Sequence, residues 1–508
     1  MKKSRPRDGL VFALATGLVL AGAFSGRGVT TADGAEVVSE ALEILIAGSP
    51  APMPPGGAKA LQAFPAGARP SKYGLFPSLL PLPFAAAVWP LRRALSSESL
   101  DAAVSLTWAV GAGLSALAFL SLARRLKPSA SPLWGPAFLA GTFLWPYAAE
   151  SFVEPWAAAA LAFAASKLLD DPVVSPRAGW AGGALWAAAC LLKPVLWLTV
   201  PVAFLAIALG RDGRRGGLRS IAAFILPVSG GLALALAVNL LRQGSLLEFG
   251  YGDEAALFTT DLLDGLQGLL ARPGRSVFLF APITLGALFV FRRLSLPARL
   301  LLAGVPCLHL LVVARWWGWN GGSAWGPRHL LPVLPLLAAP AVLLPAAASG
   351  ALLAIGVAVN VPGVLVAPGA WISWVETLRA PAAAGWPPNG SERVSDVPCL
   401  APVRGHLWLL AHAAGSGAPV PCASAGASET VRPPSAAAAV TPLVVRSLAG
   451  LPPSAPTIPR VLVRMATGHE ARGEAVLAHL AAGEAVHLSP NDPAARALYG
   501  LRSPGPAR

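Results

Sequence analysis

Apolar runs of about 17–22 residues recur along this 508-residue chain, and a helix of that length matches the hydrocarbon thickness of a bilayer. The connections between them are short and basic. With 55% hydrophobic residues, 13% charged residues and a mean hydropathy of +0.60, the chain lies outside the range of soluble domains. Its 52 glycines and 50 prolines suit membrane helices, which tolerate both better than soluble helices do. The net charge of +14 does not point to nucleic acid, because the basic residues cluster between apolar runs, as orientation signals do.

The pattern reads as an all-α polytopic membrane protein with about eleven spans: 9–26, 102–122, 132–149, 155–170, 178–192, 194–210, 220–241, 276–291, 298–315, 329–347 and 349–367. Lys2, Lys3, Arg5 and Arg7 precede the first run. That start fits a cleaved signal peptide or an uncleaved first helix. The many spans that follow favour the helix, with its N-terminus in the cytoplasm. The arginine-rich connections 123–127, 170–177, 211–219 and 292–299 then fall inside. The apolar run 75–91 breaks that order if counted as a span, so it is expected to lie in the outer interface. Segments 27–101, 150–154, 242–275 and 316–328 and the tail after about 368 fall outside.

The outer segments carry the candidate chemistry. Residues 30–47 read as an amphipathic helix with one apolar side resting on the membrane. Asp33 at its start either caps the helix or acts as a general base. Lys72, before Tyr73, either snorkels to headgroups or neutralises a phosphate. Glu154 precedes Pro155 at a helix start, which is structurally comfortable, yet an acid at that depth is also a functional candidate, with Glu150 as its rival. Arg272 and Arg275 flank a Pro-Gly turn on the side where arginines are disfavoured. Arg328 follows Gly326-Pro327 in an aromatic, Gly-rich stretch, 316–328, that runs into an apolar helix. Guanidinium forks there suit phosphate oxygens. Lys193, between two short spans, is expected to reach the outer surface.

Several motifs occur in a fixed order: Asp33-Gly34, Tyr73 to Pro83, Val153-Glu154-Pro155, Ala271-Arg272-Pro273-Gly274-Arg275-Ser276 through Pro282, Trp319 to Pro335, and Ala401-Pro402-Val403-Arg404-Gly405-His406. Together they resemble the GT-C-type membrane glycosyltransferases that use a polyprenyl-phosphate sugar, a superfamily that includes protein O-mannosyltransferases and the lipid A aminoarabinose transferase. The resemblance covers roughly residues 1–412. It departs from the family pattern at Gly34 (usually acidic), Arg272 (a serine), Ser276 (a glycine), and Trp325 and His329 (tyrosines).

The resemblance implies an enzyme of the bacterial inner membrane, with a periplasmic tail, that moves a hexosyl or pentosyl group with inversion from a polyprenyl phosphate to an acceptor. Asp33 and Glu154 would be the catalytic carboxylates. Arg328, Arg275, Arg272 and Lys72 would hold the donor phosphate, and Tyr73, Trp319, Trp325 and His406 would position acceptor or sugar. It implies no cofactor and no metal, and the sequence shows no His/Cys cluster of ligand spacing. Partners would be the lipid-linked sugar, membrane lipids and an acceptor, with no nucleic acid.

The implied organisation is a transmembrane domain over 1–368, an outer segment over 369–412 that continues the family match, an Ala/Pro/Ser-rich linker over 413–458, and a helical, tetratricopeptide-like tail over 459–508. One such unit cannot bury its own face, so the tail either packs on the membrane domain or a partner, or forms two loose helices; the loose form is the expectation. Cys190 and Cys307 are expected to pack in spans, and an oxidising compartment permits a disulfide between Cys399 and Cys422. A lipid transporter or an inactive scaffold are the alternatives to the enzyme.

Overall fold

The computed structural model describes residues 31–48, 72–92, 94–95, 97–169, 175–209, 216–377 and 390–413, with single positions and short stretches between 463 and 498. The expected first span, 9–26, lies outside the described residues, as do Cys422 and the linker. The described residues are helical, with no strand. The principal helices are α1 (Ala32–Ala47), α2 (Ser97–Leu126), α3 (Glu154–Leu168), α4 (Pro176–Leu192), α5 (Gly216–Gln243), α6 (Leu262–Leu270), α7 (Val305–Arg315), α8 (Ala346–Leu365) and α9 (Pro402–Ala413).

Among the described residues, four helices are long and apolar enough to cross a membrane: Ala102–Leu126, Leu218–Gln243, Leu296–Arg315 and Ala346–Leu365. Such helices are compatible with a membrane protein. The other expected spans among the described residues are shorter or interrupted. Run 132–149 is a helix over Trp134–Ala140 and a single 3-10 turn over Pro146–Ala148. Run 276–291 breaks between Val277–Phe280 and Ile283–Val290, at Pro282. Run 329–347 alternates 3-10 and α turns around Pro332, Pro335 and Pro340. A proline removes a backbone donor and crowds the preceding turn, so an apolar run rich in proline does not stay one cylinder. Composition alone does not register those breaks.

The spans differ in environment. In Ala102–Leu126, 72% of the apolar window is buried, against 22% in Leu218–Gln243. The first is therefore the centre of the bundle. It packs on α3, which in turn packs on α4 and carries Ala157, Ala158, Leu161, Ala162 and Ala165 into the core. Leu218–Gln243 is peripheral and exposes Leu218, Leu226, Leu234 and Leu241. Small residues set the closeness of approach. A Cβ at Gly356 would stand 1.9 Å from the Gly141 carbonyl oxygen, and one at Gly183 would stand 2.3 Å from that of Phe224.

Helix α1 does not rest on a surface. Every residue from Gly34 to Glu43 is buried, including Glu36, Glu40 and Glu43. Its apolar side belongs to one buried cluster with Ala85, Leu100, Val104 and Trp108, and this cluster also includes Ala466, Ala481, Ala482 and Ala485 of the tail. Its acidic side is met by polar groups: the Lys72 backbone N–H donates to Glu36 Oε2 (3.3 Å), Ser78 Oγ to Glu40 Oε2 (3.2 Å), and Arg242 lies 2.7 Å from Glu40. Buried charges persist only with such partners. The run 75–91 forms two short helices, Leu75–Ser78 and Leu82–Val88, that pack on α1.

Candidate functional site

The N-terminus of α1 sets the site. Thr31, not Asp33, is the cap: its Oγ1 accepts the Gly34 N–H at 2.9 Å. Gly48, at φ 73°, closes the other end by donating to the Ile44 carbonyl. Thr31 is also tied to Ser151, its N–H donating to Ser151 Oγ at 3.0 Å and its Oγ1 lying 2.9 Å from the same atom. This brings α1 so close to the 149–153 segment that a Cβ on Gly34 would stand 2.1 Å from Ser151 Oγ. Gly34 is required by that approach.

Relieved of capping, the Asp33 carboxylate reaches Arg328, 295 residues away, and accepts from Nη1 at 2.7 Å. Their side chains retain 29% and 15% of their exposure. The Arg328 guanidinium also stands 4.4 Å from the Phe152 ring centroid. Tyr73 donates its hydroxyl to Asp33, and Lys72 adds positive charge nearby. Burial acts to raise the Asp33 pKa, but Arg328, the Tyr73 hydrogen bond and Lys72 outweigh it and hold the carboxyl below its usual range. The Tyr73 hydroxyl is pushed well up, by burial first and then by Asp33.

Glu154 opens α3, buried to 2%, and is paired with Lys193 Nζ at 2.7 Å. Lys193 therefore turns inward to a carboxylate, contrary to the expectation that it reaches the surface. Glu154 lies within electrostatic reach of Arg328, so the two ion pairs form one charged layer. Glu150 is also buried.

The remaining sequence candidates fall in a second cluster. Arg275, fully buried, donates to the carbonyls of Ala324, Gly326 and Gly322 and to Ser395 Oγ. Its guanidinium is engaged in folding the 316–328 stretch. Arg272 bridges Asp264 and Asp396 and lies 5.6 Å from the Trp319 ring centroid. Trp325 donates from Nε1 to Asn360 (2.9 Å) and its ring stands 4.7 Å from His406, whose Nδ1 lies 2.7 Å from the Pro402 carbonyl. These groups join the bundle to the 390–413 segment, whose Leu400 and Leu409 form a separate small core with Trp371 of the Pro368–Thr377 helix. Cys399 is disulfide-bonded, while Cys190 and Cys307 are unbridged.

Sequence reasoning missed Tyr251, whose ring meets that of Tyr73 edge-on at 6.0 Å, and Glu254, 3.2 Å from Lys72 Nζ. Burial, then Asp33 and Glu154, raises the Tyr251 hydroxyl. The only sequence cue was that loop 242–275 falls on the same side as Lys72. It also missed Phe152, which no local pattern marks.

An apolar cavity of about 370 Å³ lies between the Leu75–Ser78 turn, α2, α3 and α4, lined by Phe76, Leu80, Leu114, Trp156, Leu185 and Leu192 among others. Its lining joins the site directly in sequence: Trp156 follows Glu154 by two positions, and Leu192 precedes Lys193. Among the described residues, no three His, Cys, Asp or Glu side chains are grouped to hold a metal.

No protein-family model, no curated protein and no solved structure matched this chain.

Proposed function

We propose that this chain is a GT-C-type membrane glycosyltransferase that moves a sugar from a polyprenyl phosphate to a lipid, glycan or protein acceptor at the outer face of the bacterial inner membrane. The observation that carries the reading is the Asp33–Arg328 pair, 2.7 Å apart, with Tyr73 and Lys72 beside it and an apolar cavity whose lining residues Trp156 and Leu192 lie within two positions of Glu154 and Lys193 in sequence. Such a juxtaposition suits a substrate with an anionic head and a hydrocarbon tail. In this reading the short and interrupted apolar helices complete about eleven spans, which leaves Asp33, Glu154 and Arg328 at the outer face.

In the reaction, an acceptor hydroxyl or amine attacks the anomeric carbon. The bond from that carbon to the phosphate oxygen breaks, and polyprenyl phosphate leaves with the electron pair. Asp33 takes the acceptor's proton. Arg328 and Lys72 stabilise the charge that builds on the leaving phosphate. While paired with Arg328, Asp33 is a weak base. A phosphate that draws the guanidinium away restores its basicity where the proton is lost. Glu154, held by Lys193, orients acceptor or sugar hydroxyls. No cofactor is required.

A lipid transporter is the second reading, favoured by the Glu154–Lys193 pair buried between helices, since charges at such depth also mark transport pathways. Sugar transfer from a polyprenyl-phosphate donor panel, by purified wild type and Asp33→Asn, separates them. Turnover lost by roughly 10²–10⁴-fold in a folded variant supports the enzyme. Equal turnover removes Asp33 from the chemistry, and none in either moves the assignment to transport.

A further inference from the structure

Loop 248–257 lies over the charged layer without belonging to any helix expected from the sequence. Glu248 folds it into a tight turn, its Oε1 accepting the N–H groups of Gly250 (2.7 Å) and Gly252 (3.1 Å). Gly250, at φ 90°, sits against the Lys72 backbone so closely that a Cβ would stand 2.3 Å from the Lys72 carbonyl oxygen. One edge of the loop is tied to residues 316–317: the Trp316 indole Nε1 donates to the Glu254 carbonyl at 3.2 Å, and the Trp317 backbone N–H to that of Leu257 at 2.9 Å. The opposite edge packs at Gly250 on the Lys72 backbone and is joined to it by side-chain contacts. Tyr251 meets Tyr73 edge-on, and Glu254 pairs with Lys72 across a contact that keeps 40% and 23% of the two side chains' exposure. Tyr251 lies within electrostatic reach of Asp33, Glu154 and Arg328, so this edge borders the ion pairs below.

The chemistry of that edge is that of a displaceable latch. A half-exposed lysine–glutamate pair is weak and readily exchanged, whereas a lipid phosphate brings a second anion of higher charge density to the same ammonium. We propose that loop 248–257 is a flap hinged at residues 316–317, and that Glu254 stands in for the substrate's phosphate at Lys72 until a phosphate-bearing lipid head displaces it. The inference rests on the proposed polyprenyl-phosphate site and adds a regulation to it. Entry of the head group breaks Lys72–Glu254, lets the Tyr251 edge lift from Tyr73, and transfers Lys72 from an internal anion to the substrate's.

The test is equilibrium binding of polyprenyl monophosphate to the purified full chain in detergent, for wild type, Glu254→Gln, Lys72→Gln and the double variant. Backbone hydrogen exchange at residues 250–254 is read in the same proteins without lipid. Glu254→Gln is expected to bind roughly threefold more tightly and to exchange faster. Lys72→Gln binds more weakly, and the double variant gains nothing over it. Binding by all four proteins, with Glu254→Gln no tighter than wild type, overturns the displacement and leaves the phosphate site standing. Faster exchange in Glu254→Gln with no lipid bound by any protein overturns both.

Discussion

Arg328 ends the glycine-rich 316–328 stretch and Arg275 donates to carbonyls within it, and the two are used in opposite ways. Arg275 is fully buried and surrounded by neutral oxygens, three of them backbone carbonyls of the 316–328 stretch. Arg328 has one carboxylate, one aromatic face and a remaining 15% of exposure. A guanidinium whose fork is filled by main-chain oxygens fixes a fold. One paired with a single exchangeable carboxylate can be taken over by another anion. The same residue type is thus scaffold in one place and, under the proposed function, a binding group in the other.

The comparison breaks first, and by the largest effect, at Arg328. Arg328→Met is expected to reduce transfer by about 10²–10³-fold, the range for loss of a donor aimed at developing charge, with the thermal midpoint moved much less. Turnover and melting measured on one preparation check this. An unchanged rate would make Arg328 another scaffold residue.

Arg275→Met should show the converse. It removes the side-chain bonds to Gly322, Ala324, Gly326 and Ser395 that hold the stretch and is expected to destabilise the fold by about 3 kcal/mol, read as a lowered denaturation midpoint. Loss of activity should follow loss of folded protein. A stable variant without activity would return Arg275 to the site.

The smallest effect is in pH dependence, and its sign separates the two clusters. Asp33 has a depressed folded pKa. Its contribution is complete above the unfolded value of 3.8 and is lost as pH falls through the lower folded value. Burial raises the Asp396 carboxyl, despite Arg272, so protonating it as pH falls toward 3.8 favours the folded state. Melting followed from neutral to acid pH should therefore lose part of its acid-side decline in Asp33→Asn and steepen in Asp396→Asn, each by on the order of 1 kcal/mol or less.

The two clusters were not equally legible. Asp33, Tyr73, Glu154 and Arg328 stood out because each is a polar residue at the end of an apolar run, where a sequence pattern has meaning. Arg272 and Arg275 stood out for the same reason, yet what they bind depends on Ser395 and Asp396, more than a hundred positions away. Asp33 as a cap was a fair local reading that Thr31 pre-empts two residues earlier. The first-loop helix reads as amphipathic, but its acidic face is buried because Arg242, Ser78 and the Lys72 backbone come to it from three other segments. Trp325 and His406, read as positioning groups, pack against each other and Asn360 inside the bundle. No spacing rule distinguishes a tryptophan facing a substrate from one facing a histidine.

By itself the sequence determined that the chain is helical and built around apolar segments, because run length and hydropathy are local properties that the bilayer thickness converts directly into structure. It also determined where charge is tolerated, at the ends of those segments. Only the tertiary structure decided which runs stay whole and which break at their prolines. It alone decided that Lys193 turns inward to Glu154, and that Arg328 rather than Arg275 faces a carboxylate. The physical reason is the same in each case: a buried charge or donor is stable only beside its partner, and those partners lie tens to hundreds of residues away, where no local pattern can reach them.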